Sequence, residues 1–265
     1  MSVHKLLLAA LLAAAVVTGP ASAQDPLSVV DLNSPEMSQA EMTRADVEKI
    51  LNAATAEKPA DFTAKRLSGL DLSGLDFSKA ILRSARLNNC KLVGAKFVEA
   101  VLDQAWLLKA DLTGADMRRA HMFQGQFRGA KLDGADLSGA RVASDLTKTS
   151  LKGAKFVGAD LGADMRNQSM GLMRGILKSA DLEGADFTNA NLSRVDLEFS
   201  SLKGADLSGA NMMSAQLGGA DLTGATVKGT NFNKADVTSA TLKELVNVEK
   251  SNLENAMNLG SAYRD

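Results

Sequence analysis

From Leu67 onward an apolar residue recurs at every fifth position, through Leu72, Phe77, Leu82 and Leu87 to Val142, sixteen in succession. The register then slips by one to Leu146, Leu151, Phe156 and Leu161, and fourteen more run from Leu177 to Leu242. A period of five matches neither the 3.6 of an amphipathic helix nor the 2 of a half-buried strand. It points to a solenoid in which each five-residue unit makes one short side and turns a corner. Two positions before the centre stands Ala in 23 of the 34 units; one before it is often Asp or Asn, and two after it often Gly. One small and one large residue per unit then face inward and stack on their counterparts in the next coil. Gly at the corner suits a backbone that needs positive φ.

Composition agrees with a narrow aliphatic interior. The chain of 265 residues is 45% hydrophobic but only 4% aromatic, so Ala, Leu, Met and Val must supply its core volume. Thirty Lys and Arg against 31 Asp and Glu give a net charge of −1, with no polyanion-binding or polyacidic character. Cys90 falls in the slot usually held by Ala and reads as a buried filler; as the sole cysteine it has no disulfide partner within the chain.

The unit A-[D/N]-[L/F]-x-x, as in Ala110-Asp111-Leu112-Thr113-Gly114 and Ala205-Asp206-Leu207-Ser208-Gly209, resembles the pentapeptide-repeat family over about two thirds of the chain. The resemblance implies an all-β solenoid, a right-handed quadrilateral β-helix with four pentapeptides per coil. At about 4.8 Å between coils the rod would be roughly 40 Å long. Short capping helices are expected at its N- and C-terminal ends, where a solenoid leaves a strand edge open.

The segments divide as follows. His4 and Lys5 precede twelve apolar residues, Leu6 to Val17, too few for a membrane span of about 20. Gly19-Pro20 and Ala21-Ser22-Ala23 complete the pattern of a signal peptide, residues 1–23, cleaved after Ala23. The expected location is periplasmic or secreted, and the cleaved chain holds 29 basic and 31 acidic residues, a net charge of −2. Residues 24–60 form an N-terminal segment, with a helix over about 44–56: Thr43 and Asp46 make a capping box, and Val47, Ile50, Leu51 and Ala54 share a face. The β-helix spans 61–242, irregular at about 143–176, and 243–265 form a C-terminal cap. There Ser251 with Glu254, then Leu253, Ala256 and Met257, and finally Gly260 predict a second helix. It closes the last coil or, as in some members of the family resembled, mediates a tail-to-tail homodimer. The stretch Gly162–Ile176, with Met165, Arg166, Met170, Met173 and Arg174, is either a degenerate coil filled by Met or a projecting loop.

With four units per coil, residues 20 apart stack on one side. Asp71, Lys91, Asp111 and Lys131 then make a charge ladder, and Asn191, Asn211 and Asn231 an amide ladder. One outward region is different. Ile81 and Val101 occupy the Asp/Asn slot one coil apart, with His121 next in line and Phe123 beside it. Around the corner Trp106 takes the same slot and Leu108 lies two further on. These six residues are the candidate partner-binding surface. The plainer alternative is that a capping or loop segment folds over them.

No catalytic, cofactor-binding or metal-binding set stands out: the cleaved chain has one His and one Cys, and no P-loop or G-x-S-x-G. The expected function is a non-enzymatic structural and interaction scaffold in the bacterial cell envelope. It would bind an unidentified protein, with no cofactor, no nucleic acid and no membrane span. The resemblance supplies the alternative of a DNA mimic that interacts with type II topoisomerases. Arg86, Lys91, Lys96, Lys131 and Arg141 stand where such a mimic needs acidic residues.

Overall fold

Single residues pair in parallel with the residue one coil on, and these rungs stack into four sides. The first side begins Asp61, Ile81, Val101, His121; the second Arg66, Arg86, Trp106, Gln126; the third Asp71, Lys91, Asp111, Lys131; the fourth Asp76, Lys96, Asp116, Asp136. This is a computed structural model that describes residues 27, 30–163 and 173–264. Residues 1–23, expected to form a signal peptide, lie outside the described residues, as do Met165, Arg166 and Met170. Two units are distinguished, Met1–Leu32 and Asn33–Asp265, and the second contains the whole solenoid. In the first, Val30 N–H donates to Leu27 O at 3.2 Å.

The five-residue unit closes its own hydrogen-bond account. In Ala110–Gly114, Ala110 N–H donates to Leu107 O, Asp111 N–H to Cys90 O in the coil before, and Leu112 and Gly114 N–H to Lys131 and Asp133 O in the coil after. The fifth amide, Thr113 N–H, has no backbone acceptor in reach and donates to Asp111 Oδ1 at 3.1 Å. A carboxylate or amide one residue before the centre is therefore the acceptor that completes the unit, since an unmade buried bond costs about 1–3 kcal/mol. Two residues after the centre the chain turns with positive φ, 66° at Gly114 but also 61° at Lys79 and 58° at Phe199.

The centres form the core. Leu67 to Leu112 are completely buried at every fifth position, and the run begins one unit earlier than the sequence pattern starts, at Phe62 with Ala60 before it. Burying each Leu or Phe contributes about 1.5–3 kcal/mol. Phenylalanines stack where they follow one another on the fourth side: Phe77 on Phe97 at 5.1 Å and Phe156 on Phe187 at 4.7 Å between centroids. Where the small slot holds a hydroxyl, that group bonds a backbone carbonyl, Thr149 to Leu146 O, Ser200 to Leu197 O and Thr230 to Leu207 O, each at 2.7 Å. Ser144 does the same with Met122 O. Cys90 follows this rule too, with Sγ 3.0 Å from Leu67 O. Burial pushes its thiol up to about 12, so it is an inert filler.

After Val142 the pairing shortens by one position, and Gln126 meets Asp145. Further on, Asp145 pairs with Ile176 and Asp160 with Asn191, so consecutive coils meet across the Gly162–Ile176 stretch. Asp160 belongs to the first side and Ile176 to the second, with no rung between them among the described residues; residues 164–172 lie outside the described residues. Gly175 takes the small slot, with N–H to Leu161 O at 2.8 Å. A Cβ there would lie 3.2 Å from the carbonyls of Leu161 and Val142.

Two helices precede the first coil, α1 (Pro35–Ser38) and α2 (Arg44–Asn52). In α2, Thr43 and Asp46 make the reciprocal capping box, and Val47 is fully buried against the first coil's core while Ile50 and Leu51 are partly so. At the other end the helix expected from Ser251 to Gly260 is absent. Three 3₁₀ turns stand there instead, Val248–Lys250, Leu253–Asn255 and Leu259–Ser261. Between the turns Met257 pairs with Asp236 and Asn252 Oδ1 accepts Phe232 N–H at 2.6 Å, and after the last of them Tyr263 pairs with Thr241. The open edge of the preceding coil offers these bonds in a fixed register, and a helix of two turns cannot compete with them. Among the described residues no helix is long and apolar enough to cross a membrane.

Candidate partner-binding surface

In the N-terminal half the apolar and aromatic residues in the Asp/Asn slot fall on the first two sides. Ile81, Val101 and His121 are consecutive rungs of the first side, and Trp106 stands between Arg86 and Gln126 on the second. Ile81, Val101, Trp106 and Phe123 are half-buried and His121 is exposed. Leu108 is not outward-facing surface: it is 7% exposed. The reason lies far off in sequence. Asn88 Nδ2 donates to Met37 O in α1 at 3.0 Å, and Asn88 Oδ1 accepts Leu108 N–H at 3.0 Å. Ser68, Asn88, Leu108 and Met37 are all buried at this junction.

Nor do the six residues make one patch. Between the two sides runs a polar corner, in which Ser84 Oγ donates to Gln104 Oε1 at 3.3 Å and Gln104 Nε2 to Gln124 Oε1 at 3.1 Å. Ile81, Val101, His121 and Phe123 lie on one flank of it and Trp106 on the other. At His121 and Trp106, whose slots hold no carboxylate, the previous coil supplies the acceptor for the amide after the centre. Phe123 N–H donates to Asp103 Oδ1 at 3.0 Å, as Leu108 N–H does to Asn88.

Other outward apolar groups escaped the sequence reading. Phe199, 62% exposed, lies at a corner with Lys178 Nζ 5.4 Å from its ring centroid. Its ring rests over Gly219, where a Cβ would come within 2.7 Å. The signal was present, a large ring in the corner slot where Gly is usual. At the C-terminal end Val246, Val248, Met257 and Tyr263 are exposed by 41–61%. Among the described residues, no group of three or more His, Cys, Asp or Glu is placed to hold a metal ion.

A family model for pentapeptide repeats matches in eight copies, over residues 60–97, 95–139, 126–167, 176–215, 190–229 and 210–244. The chain belongs to the pentapeptide-repeat family. Its fold is accordingly the right-handed quadrilateral β-helix that the stacked rungs display. Among solved structures this pentapeptide-repeat protein is similar to QnrB1, described as a plasmid-mediated fluoroquinolone resistance protein. The two share 17% identity over 73% of this chain and 90% of that one, with a TM-score of 0.55. It is also similar to HetL, a pentapeptide repeat protein involved in heterocyst differentiation regulation from the cyanobacterium Nostoc sp. strain PCC 7120. There the identity is 29% over 76% of this chain and 84% of that one, with a TM-score of 0.43. A search of curated proteins returned no match.

Proposed function

We propose that this protein is a non-enzymatic scaffold of the bacterial cell envelope, which binds a protein partner through the first side of its N-terminal half. α2 serves as the N-terminal cap. The observation that carries the reading is that Ile81, Val101 and His121 fill three consecutive rungs with side chains that accept no backbone amide, and at His121 the Phe123 amide is taken by Asp103 of the coil before. Residues exempt from structural duty on a rigid, register-locked face are the ones available for recognition. The envelope location rests on the apolar run Leu6–Val17 and the Ala21-Ser22-Ala23 site. The topoisomerase-binding alternative is disfavoured because the rungs Arg86, Lys91, Lys96, Lys131 and Arg141 are basic.

A photo-crosslinking residue at Val101 or His121, compared with one at Asn211, tests the reading in cells separated by osmotic shock. Expected is a crosslinked partner in the periplasmic fraction from positions 101 and 121 but not 211. An uncleaved cytoplasmic product, equal crosslinking from all three positions, or protection of a topoisomerase in a supercoiling assay would sink it.

A further inference from the structure

The N-terminal end of the rod is finished differently on different sides. On the second side Glu41 replaces a missing rung, its N–H donating to Arg66 O at 2.9 Å and its Oε1 accepting Arg66 N–H at 3.4 Å. On the third side a guanidinium does so: Arg44 Nη1 donates to Asp71 O at 2.9 Å and Nη2 to Ser73 O at 3.2 Å. The equivalent acceptors on the fourth side are Asp76 O and Ser78 O, and among the described residues neither has a hydrogen-bond partner. In the regular coils a corner amide of the coil before serves the second of these carbonyls, as Gly114 N–H serves Asp133 O. The residue that stands to Ser78 as Gly114 stands to Asp133 is Pro59, which has no N–H to give.

Over this open rung lies a cavity of about 530 Å³. Leu51, Ala54, Pro59 and Leu75 supply apolar wall, and Glu48 and Asp76 supply carboxylates. Lys79 also borders it, with Nζ 4.0 Å from Glu99 Oε2.

We propose that this cavity binds a guanidinium group, the side chain of an arginine in a partner protein. Its forked donors would take Asp76 O and Ser78 O as those of Arg44 take Asp71 O and Ser73 O one side earlier. Its methylenes would lie on the apolar wall, and its charge would face Asp76, whose carboxylate has Lys96 Nζ only at 4.0 Å, while Glu48 beside it is held by Arg44 Nε at 2.7 Å. An ammonium has a point charge on a stem and no planar fork, so lysine is the poorer ligand. The site is at the end of the rod, apart from the side-face surface proposed above, and the two stand or fall separately.

The test is calorimetric or NMR titration of the full chain with N-acetyl-arginine amide and with N-acetyl-lysine amide. Two variants accompany it. Ala54→Trp fills the cavity from an exposed position, and Asp76→Asn keeps the acceptor for Ser78 N–H while removing the charge. Expected are saturable binding of the arginine amide, at least tenfold weaker binding of the lysine amide, loss of binding in Ala54→Trp, and several-fold weakening in Asp76→Asn. No binding of the arginine amide, equal affinity for both amides, or undiminished binding in both variants overturns the proposal. Thermal melts of the two variants identify any that fails to fold, and the other then decides.

Discussion

On the first side of the rod, Ile81, Val101 and His121 in the N-terminal half occupy the same slot as Asn191, Asn211 and Asn231 in the C-terminal half. In the asparagine half each side chain is consumed by the fold. Oδ1 of Asn191, Asn211 and Asn231 accepts the amide of Ser193, Met213 and Asn233 at 3.1–3.2 Å. The Nδ2 groups donate along the axis, Asn231 to Asn211 at 3.0 Å and Asn211 to Asn191 at 3.5 Å. Asp160 and Asn252 extend this ladder at its two ends, at 2.7 and 3.0 Å. In the other half Ile81 and Val101 offer the backbone no acceptor, and at His121 Asp103 of the coil before accepts the Phe123 amide in the slot's place. One fold therefore yields a self-satisfied surface and an unoccupied one on the same side.

Asn211→Ala should have the largest effect, a loss of about 1–3 kcal/mol in denaturant unfolding, because it removes an amide cap and two ladder contacts. Asp103→Ala tests whether the apolar half depends on its substitute acceptor. Expected is a destabilisation of about 1 kcal/mol, with hydrogen exchange at the Phe123 amide accelerated while that at Met213 is unchanged.

Acid should act on the carboxylate rungs and not on the amide or apolar ones. The Thr238 hydroxyl and then the Asn258 amide hold the Asp236 carboxyl below its usual range. A depressed carboxyl contributes stability that is present above its unfolded value of about 3.9 and lost as pH falls through the lower folded value. Asp236→Asn, which keeps the Thr238 amide acceptor, should flatten the dependence of unfolding free energy on pH below about 4. Unchanged slope would show that this rung does not couple folding to protonation. Val101→Asn should have the smallest effect on stability, within about 0.5 kcal/mol, since it restores the usual residue to the slot. It should nevertheless abolish the crosslink expected from His121, which separates recognition from folding.

Much of the solenoid was legible in the sequence because each unit's hydrogen bonds are local or reach the coil directly before or after it. The centres and small slots repeat with those bonds. Phe62, with Ala60 two before it, extends the pattern by one unit and was readable by the same rule. The ladder of Asn191, Asn211 and Asn231 follows from the stacking of successive coils alone. Leu108 was not readable, because its burial goes with a contact between Asn88 and Met37, far apart in the chain and outside any period. The C-terminal helix was misread for the opposite reason. Ser251 and Glu254 do make a helix start signal, but Asn252, Met257 and Tyr263 are recruited by the edge of the coil before them.

The amino-acid order by itself determined the period, the inward and outward alternation and the corners, since each depends on residues within one unit or its stacked neighbour. Tertiary structure alone decided that a polar corner through Gln104 splits the candidate surface and that α1 lies against Asn88. It also decided that Arg44 completes one side of the first coil while Asp76 O and Ser78 O stay open. Those outcomes depend on where aperiodic segments land against the rod, and such long-range placement leaves no repeating trace in the chain.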